Sequence, residues 1–215
     1  MVFSLKSILD RDIRLTILGH TGVGKTSLIK RLKGEDPTEV EKTLEITVEK
    51  KKIMLLSARG HSKLSLERYR KYNVVAVDNP GDFKLRRQWR EAMRKYKTDG
   101  ILFMLDPSQD VEAQRVAMED SFNYFLDSLS LDPDKADKKA QKKRSLFFFV
   151  VNKMDTIDYD EKKARTFLEN FNVVIQDYKM TFPFSTFIED FISVHESPYE
   201  RIDGIFEKVK QALYG

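Results

Sequence analysis

A chain of 215 residues, 41% hydrophobic and 33% charged, holds enough apolar material for one domain with its own core and is short for two. Its 38 Lys and Arg against 34 Asp and Glu leave a net charge of +4, interspersed in sign, so no nucleic-acid partner is expected. With no cysteine there are no disulfides or thiolate metal sites, three histidines leave little for imidazole ligation, and no run of about 18 apolar residues spans a bilayer.

The opening MVFSLKSILDRD lacks the charged head and long apolar stretch of a secretory signal, so a cytoplasmic protein is expected. Residues 1–12 read as a separate N-terminal segment, and Val2, Phe3, Leu5, Ile8 and Leu9 give it the spacing of a short amphipathic helix. Two placements stay open for residues 1–9: packed on the domain's own surface, or in peripheral contact with a membrane or partner. Residues 13–215 read as a single domain. IRLTILG (13–19) is a buried strand, and Lys25 to Lys33 a helix stopped by Gly34. After a polar loop, residues 44–60 read as two strands with a turn near Lys50–Lys52. NVVAVD (73–78) is a strand that breaks at Asn79, Pro80 and Gly81. Lys84 to Lys97 is a basic helix, GILFMLD (100–106) a strand, and Val111 to Leu129 an amphipathic helix. The charged stretch 131–144 reads as a loop or helical extension whose lysines form a solvated face. SLFFFVVNK (145–153) is the most apolar strand, Glu161 to Tyr178 one helix, FISVH (191–195) the last strand and Arg201 to Leu213 a closing helix. Strands alternating with helices predict an α/β fold: a mostly parallel six-stranded sheet, one antiparallel edge strand, and helices on both faces.

The stretch Gly19-His20-Thr21-Gly22-Val23-Gly24-Lys25-Thr26 fits G-x-x-x-x-G-K-[ST] between a strand and a helix, which is a phosphate-binding P-loop. Its glycines let successive N–H groups of Gly22, Val23, Gly24 and the helix start through Ser27 face a phosphate chain. Lys25 is placed to reach the β- and γ-phosphates and Thr26 to bind Mg²⁺. Asp78, ending a strand, is the expected second Mg²⁺ contact, and Gly81 can present its N–H to a γ-phosphate. Asn152-Lys153-Met154-Asp155 selects the base. The Asp155 carboxylate can accept from both N1–H and the exocyclic amine of guanine, a donor pair that adenine lacks. Asn152 braces the loop and reaches the base, and the Lys153 stem covers its face.

These three motifs, in this order and on these strands, resemble the small GTPases of the Ras superfamily, over nearly the whole chain from about Ile13 to Leu213. Leu85–Trp89, TDGILFMLDPSQ (98–109) and FFFVVNKMD make the chain look most like the Arf-like branch, including the signal-recognition-particle receptor β subunit. The resemblance implies a small G-domain with GTP or GDP as ligand and Mg²⁺ as cofactor. It implies a switch threonine on the metal, Thr43 or alternatively Thr38. It also implies a last base-contacting loop at Ser193-Val194-His195, with Ser185-Thr186 the alternative, and effector and regulatory proteins on the switch loops. Two departures stand out. The residue after Asp-x-x-Gly, usually a water-orienting Gln, is Asp82, and Thr21 narrows the room beside the γ-phosphate; both predict slow hydrolysis. The stretch between Thr43 and Asp78 is long, and its His61, Arg68 and Arg70 read as a solvated partner surface. His20 fills a P-loop slot, and no histidine pair has metal-ligand spacing. The expected function is a molecular switch that hydrolyses GTP, with Lys25, Thr43, Gly81 and Asp82 at the chemistry. The alternative is a GTP-holding scaffold or receptor subunit without turnover.

Overall fold

The computed structural model describes residues 11–38, 46–56, 69–78, 80–130 and 132–198, with Arg201, Ile202, Gly204, Ile205 and Lys208; along 11–13, 47–56 and 69–78 only the backbone is described. The N-terminal helix reading, Thr43, His61 and Arg68 lie outside these residues. Arg11 and Asp12, grouped by sequence with the N-terminal segment, already belong to the first strand, β1 (Arg11–Leu18). Next come α1 (Lys25–Lys33), β2 (Thr47–Leu56), β3 (Tyr69–Asp78), α2 (Arg87–Lys95) and β4 (Gly100–Leu105). They are followed by α3 (Val111–Leu129), α4 (Pro133–Ala140), β5 (Leu146–Val151), α5 (Glu161–Glu169), α6 (Asn172–Thr181) and β6 (Thr186–Phe191).

Among the described residues six strands form one sheet, in the order β2-β3-β1-β4-β5-β6. All neighbours are parallel except β2, which runs antiparallel to β3 at the edge. The parallel strands therefore all end at one pole, where the loops that follow β1, β3, β4, β5 and β6 converge. β4 and β5 are buried at every position, which is why GILFML and LFFFVV run apolar without alternation: helices cover both faces. On one face α1 packs Leu28, Ile29 and Leu32 on Leu15, Ile17, Phe148 and Val150, joined by Ile202 and Ile205. The other face gathers Trp89, Met93, Phe103, Phe125, Phe147, Phe149, Phe171 and Tyr178 under α2, α3, α5 and α6. Among the described residues no helix is long and apolar enough to cross a membrane.

Phe147 is the hub of that second core. Its ring centroid lies 5.6 Å from Phe125, 4.8 Å from Tyr178, 5.1 Å from Phe182 and 5.1 Å from Phe187. The Tyr178 hydroxyl, whose pKa burial raises, shares a hydrogen bond of 2.5 Å with Ser121 Oγ, so this polar atom in the cluster is satisfied. Phe147→Ala should lower stability by about 3–5 kcal/mol, checked as a fall in the denaturant midpoint at unchanged slope.

Three sequence readings are corrected. Lys50–Lys52 does not form a turn: β2 runs straight through it, paired with β3 from Thr47↔Asp78 to Leu56↔Tyr69. An edge strand tolerates such a lysine run, and it blunts edge-to-edge pairing. Residues 161–178 are two helices, not one. Asn170 caps α5 by donating Nδ2 to Phe167 O at 2.8 Å, and the fully buried Phe171 packs its ring 5.3 Å from Phe167. An Asn that captures backbone carbonyls in this way ends a helix. The last strand is 186–191 rather than 191–195. Ile192 still donates to Val151 O at 2.9 Å, but Val194 donates to the Asn152 side chain, so the apolar run leaves the ladder and folds under the site. In 131–144 the helical extension is the version observed, as α4.

Candidate functional site

The loop after β1 closes over the start of α1 on glycines that no other residue could replace without a shift. Gly24, which caps α1, has φ +98°, and a Cβ there would strike Asn152 Nδ2. At Gly19 (φ +143°) a Cβ would sit 2.5 Å from Met104 O. The result is a narrow cradle of backbone N–H groups leading into a helix N-terminus, a shape and polarity suited to phosphate oxygens. Lys25 opens α1 with its stem buried, and its ammonium donates to Gly19 O at 3.1 Å and His20 O at 3.0 Å. The cation is thus held at the mouth of the loop. Thr26 is half-buried and Ser27 buried behind it. His20 Nδ1 lies 3.2 Å from Gln109 Oε1, which fixes the loop's outer edge.

β3 delivers a second segment to the same place. Asp78 pairs in register with Ile17, one residue short of the end of β1, so its backbone lies beside the root of the P-loop. The turn that follows packs onto the loop. A Cβ on Gly81 would meet Lys25 Nζ at 2.5 Å, His20 C at 2.7 Å and Thr21 N at 2.7 Å, so only glycine allows this approach. Trp89, fully buried on α2, clamps the turn by donating Nε1–H to Pro80 O at 2.7 Å. Asp82 comes next, and its Oδ1 accepts Lys84 N–H at 2.9 Å as the cap of a short 3-10 turn over Phe83–Leu85. Arg86 is buried, paired with Asp120 at 2.9 Å, with its guanidinium 5.5 Å from the ring of Phe83, which is 70% exposed.

The third segment comes from β5. Asn152 is fully buried and spends its amide on two backbones: Nδ2 donates to Val23 O at 2.8 Å, and Oδ1 accepts Val194 N–H at 2.9 Å. One side chain thereby ties the P-loop to the loop after β6. Lys153 has φ +57°, and its ammonium lies 2.6 Å from Asp106 Oδ2 at the buried end of β4. Removing the cation would leave a buried carboxylate uncompensated. Asp155 is exposed and accepts a hydrogen bond from Ser193 Oγ. Tyr159, at φ +56°, donates to Glu196 across the same gap, and the Glu196 bond raises its pKa. The loop after β6 is pinned from below by Arg31 of α1, which donates to Val194 O at 2.9 Å and to Ser197 O. An exposed carboxylate beside a lysine stem, on a loop braced from three sides, can read a planar base that offers two adjacent donors.

The structure therefore brings together, at one pole, Gly22 through Ser27, Gly81, Asp82, Asn152, Lys153, Asp155, Ser193 and Val194, with Asp78 placed there by its backbone. It does not bring Ser185 to this site. Ser185 sits at the opposite end of β6, where its Oγ accepts Ser145 N–H at 3.0 Å and donates to Lys143 O. Of the two threonines only Thr38 is described, and its hydroxyl is bound at 2.6 Å to Asp36 in an exposed turn behind α1. Asp106, Gln109, Gln114, Arg31 and Tyr159 were not found by sequence. Gln114 brackets Asp106 by donating to its carbonyl at 2.9 Å and accepting its N–H at 2.8 Å. In the sequence it is one more polar residue on an amphipathic helix.

The sequence pattern of a GTPase family described as 50S ribosome-binding GTPase matches residues 14–153, from β1 through the P-loop to Asn152 and Lys153. The chain is a GTPase of this family. The GTPase is also similar to ADP-ribosylation factor-like protein 13B of Caenorhabditis elegans, with 27% identity over 154 residues, covering 72% of this chain and 34% of that protein. It thus spans about a third of the length of that relative. The fold of this GTPase is the P-loop α/β fold expected from the sequence.

Proposed function

We propose that this GTPase is a molecular switch that binds Mg²⁺–GTP and hydrolyses it slowly to GDP and phosphate. The observation that carries the proposal is the contact between the Gly81 turn and Lys25. A group that reports the γ-phosphate and the cation that holds it occupy one space, so occupancy by GTP or GDP bears directly on the turn. The P-loop N–H groups from Gly22 to Ser27 and Lys25 hold the β- and γ-phosphates, and Gly81 N–H takes a γ-oxygen. Asn152, Lys153, Asp155, Ser193 and Val194 hold the guanine. Among the described residues no group of three His, Cys, Asp or Glu side chains could hold a metal by itself. The ion is proposed to be bound chiefly by phosphate oxygens, with Thr26, Thr43 and Asp78 as the protein's contribution. When bound, Mg²⁺ supplies charge neutralisation at the β- and γ-oxygens. The chemistry asked of this chain is then to orient water in line with the γ-phosphorus and to exclude bulk solvent. Effector and regulatory proteins are proposed to bind the turn around Phe83, and a partner can complete the catalytic set.

Asp82 favours the second reading, a GTP-holding scaffold or receptor subunit. Its carboxylate is committed to capping the 3-10 turn, and beside a γ-phosphate it repels. Single-turnover release of phosphate from bound GTP, followed together with nucleotide retention, separates the two. Slow release that vanishes in Lys25→Ala, the expected result, establishes the switch. GTP retained for hours without phosphate, with Asp82→Gln equally inert, leaves the scaffold.

A further inference from the structure

A second concave site lies at the opposite pole, where β4 and β5 begin. Between the end of α3 and the helix α4 lies a shallow, open concavity of about 530 Å³, lined by Leu129, Lys135, Lys138, Lys139, Lys142 and Lys143. The spacing explains the lining. Positions 135, 138, 139 and 142 are three and four residues apart, so they share one face of the helical turn. Ala136 and Ala140 are buried against the domain, and Asp134 and Asp137 fall on the remaining face. The lysines are therefore sorted away from the carboxylates of their own helix, onto the wall of a cavity.

Their ammonium groups are not equivalent. Lys143 donates to Thr98 O at 3.1 Å and lies 5.7 Å from the Phe125 ring centre, while Lys139 donates to Leu129 O at 2.8 Å. Both are held in place by neutral carbonyls. Lys135 pairs with Asp132 at 3.0 Å. Lys138 and Lys142 have no polar partner among the described residues. Burial lowers the pKa of Lys143, with Asp99 as the partly compensating charge, and that carboxylate already takes Arg14 N–H at 3.0 Å. Five lysines thus line one concavity, with Asp132 and Asp99 as carboxylate neighbours of Lys135 and Lys143. Among the described residues the lining offers no acidic or amide side chain, so its side chains favour an anion over the donors of a base or sugar. What remains is attraction for a compact polyanion, with Leu129 and the lysine stems as an apolar wall.

We infer that this cavity binds a small, multiply phosphorylated anion the size of a lipid headgroup, engaged by Lys138 and Lys142 with Lys135, Lys139 and Lys143 around them. Lysines serve phosphate as point charges, which suits an open, cationic concavity. The ligand's phosphates come from a free metabolite or from a phosphorylated lipid. The site is independent of the nucleotide pole, so it stands or falls apart from the switch.

The test uses the full chain loaded with GDP, so that the P-loop is filled. Inositol trisphosphate is titrated by calorimetry. In parallel, the protein is sedimented with phosphatidylcholine vesicles carrying either phosphatidylinositol bisphosphate or phosphatidylserine at matched surface charge. Lys138→Gln/Lys142→Gln removes two exposed cations without touching a structural bond. Lys162→Gln/Lys179→Gln, on α5 and α6, is the charge-matched control. The expected result is saturable trisphosphate binding, roughly tenfold or more weaker in the first variant, unchanged in the control, and reduced by salt. Bisphosphate vesicles captured in preference to phosphatidylserine vesicles assign the lipid source, and soluble binding alone assigns the free metabolite. No trisphosphate binding, equal loss in both variants, or capture of both vesicle types alike would overturn the inference.

Discussion

Asp155→Asn should cut GTP affinity by roughly a hundred- to ten-thousand-fold and transfer preference to xanthine nucleotides. Two charge-assisted hydrogen bonds from guanine to the carboxylate are lost, each worth about 1.5–3 kcal/mol, and the new amide sets a donor against a donor. Xanthine has a carbonyl where guanine has its amine, so the same amide donates to it. The fold should not register the change. Asp155 is exposed, and the bond that it accepts from Ser193 Oγ can equally go to an amide oxygen. Thermal stability without nucleotide is thus expected to stay within about 0.5 kcal/mol of the parent, as for other surface substitutions. Competition between labelled GDP and unlabelled GTP, XTP or ATP reads the outcome directly. Unchanged guanine selectivity would take the base-reading role away from Asp155 and move it to the backbone of residues 193–195.

The parts of the site that could be read in the sequence are those whose chemistry is contiguous. The glycines and Lys25 of the P-loop sit within eight residues, with a strand before and a helix after. Asn152 through Asp155 likewise follow the most apolar strand. What could not be read is the reason these pieces stay together. Asn152 bonds to Val23, 129 residues earlier, and to Val194, 42 residues later, and no local pattern encodes either. Asp106 could be seen only as the polar end of a strand, yet it is the buried counter-charge of Lys153. The errors in the fold have the same origin. Three consecutive lysines read as a turn because local propensity carries no information about whether a strand lies at a sheet edge. The 191–195 run read as a strand because it is apolar. Its apolarity instead serves burial beneath the site, with Ile192 and Val194 packed against the α1 face of the sheet. Continuous apolar runs do locate β4 and β5, since strands covered on both faces need no alternation.

Asn152→Ala is the substitution that tests whether site and fold are one structure. It strips two fully buried backbone groups of their partners, the carbonyl of Val23 and the N–H of Val194, in a place that water does not reach. Each orphaned group costs about 1–3 kcal/mol, so a loss of roughly 2–6 kcal/mol is expected, a large share of a domain's total. Stability alone would not prove the point, because Phe147→Ala should cost a similar amount from the far side of the sheet. The discriminating measurement is the dissociation rate of a fluorescent guanine nucleotide in both variants, under conditions where both remain folded. Phe147→Ala removes core volume away from the loops and should leave that rate within a few-fold of the parent. Asn152→Ala frees the P-loop from the loop after β6, and the rate should rise by at least about tenfold, because both walls of the site lose their common anchor. If the two variants release nucleotide equally fast, Asn152 contributes to the site only what any core residue does. The pairing of Val23 with Val194 through one amide would then be a packing detail rather than the link that makes phosphate and base binding cooperative.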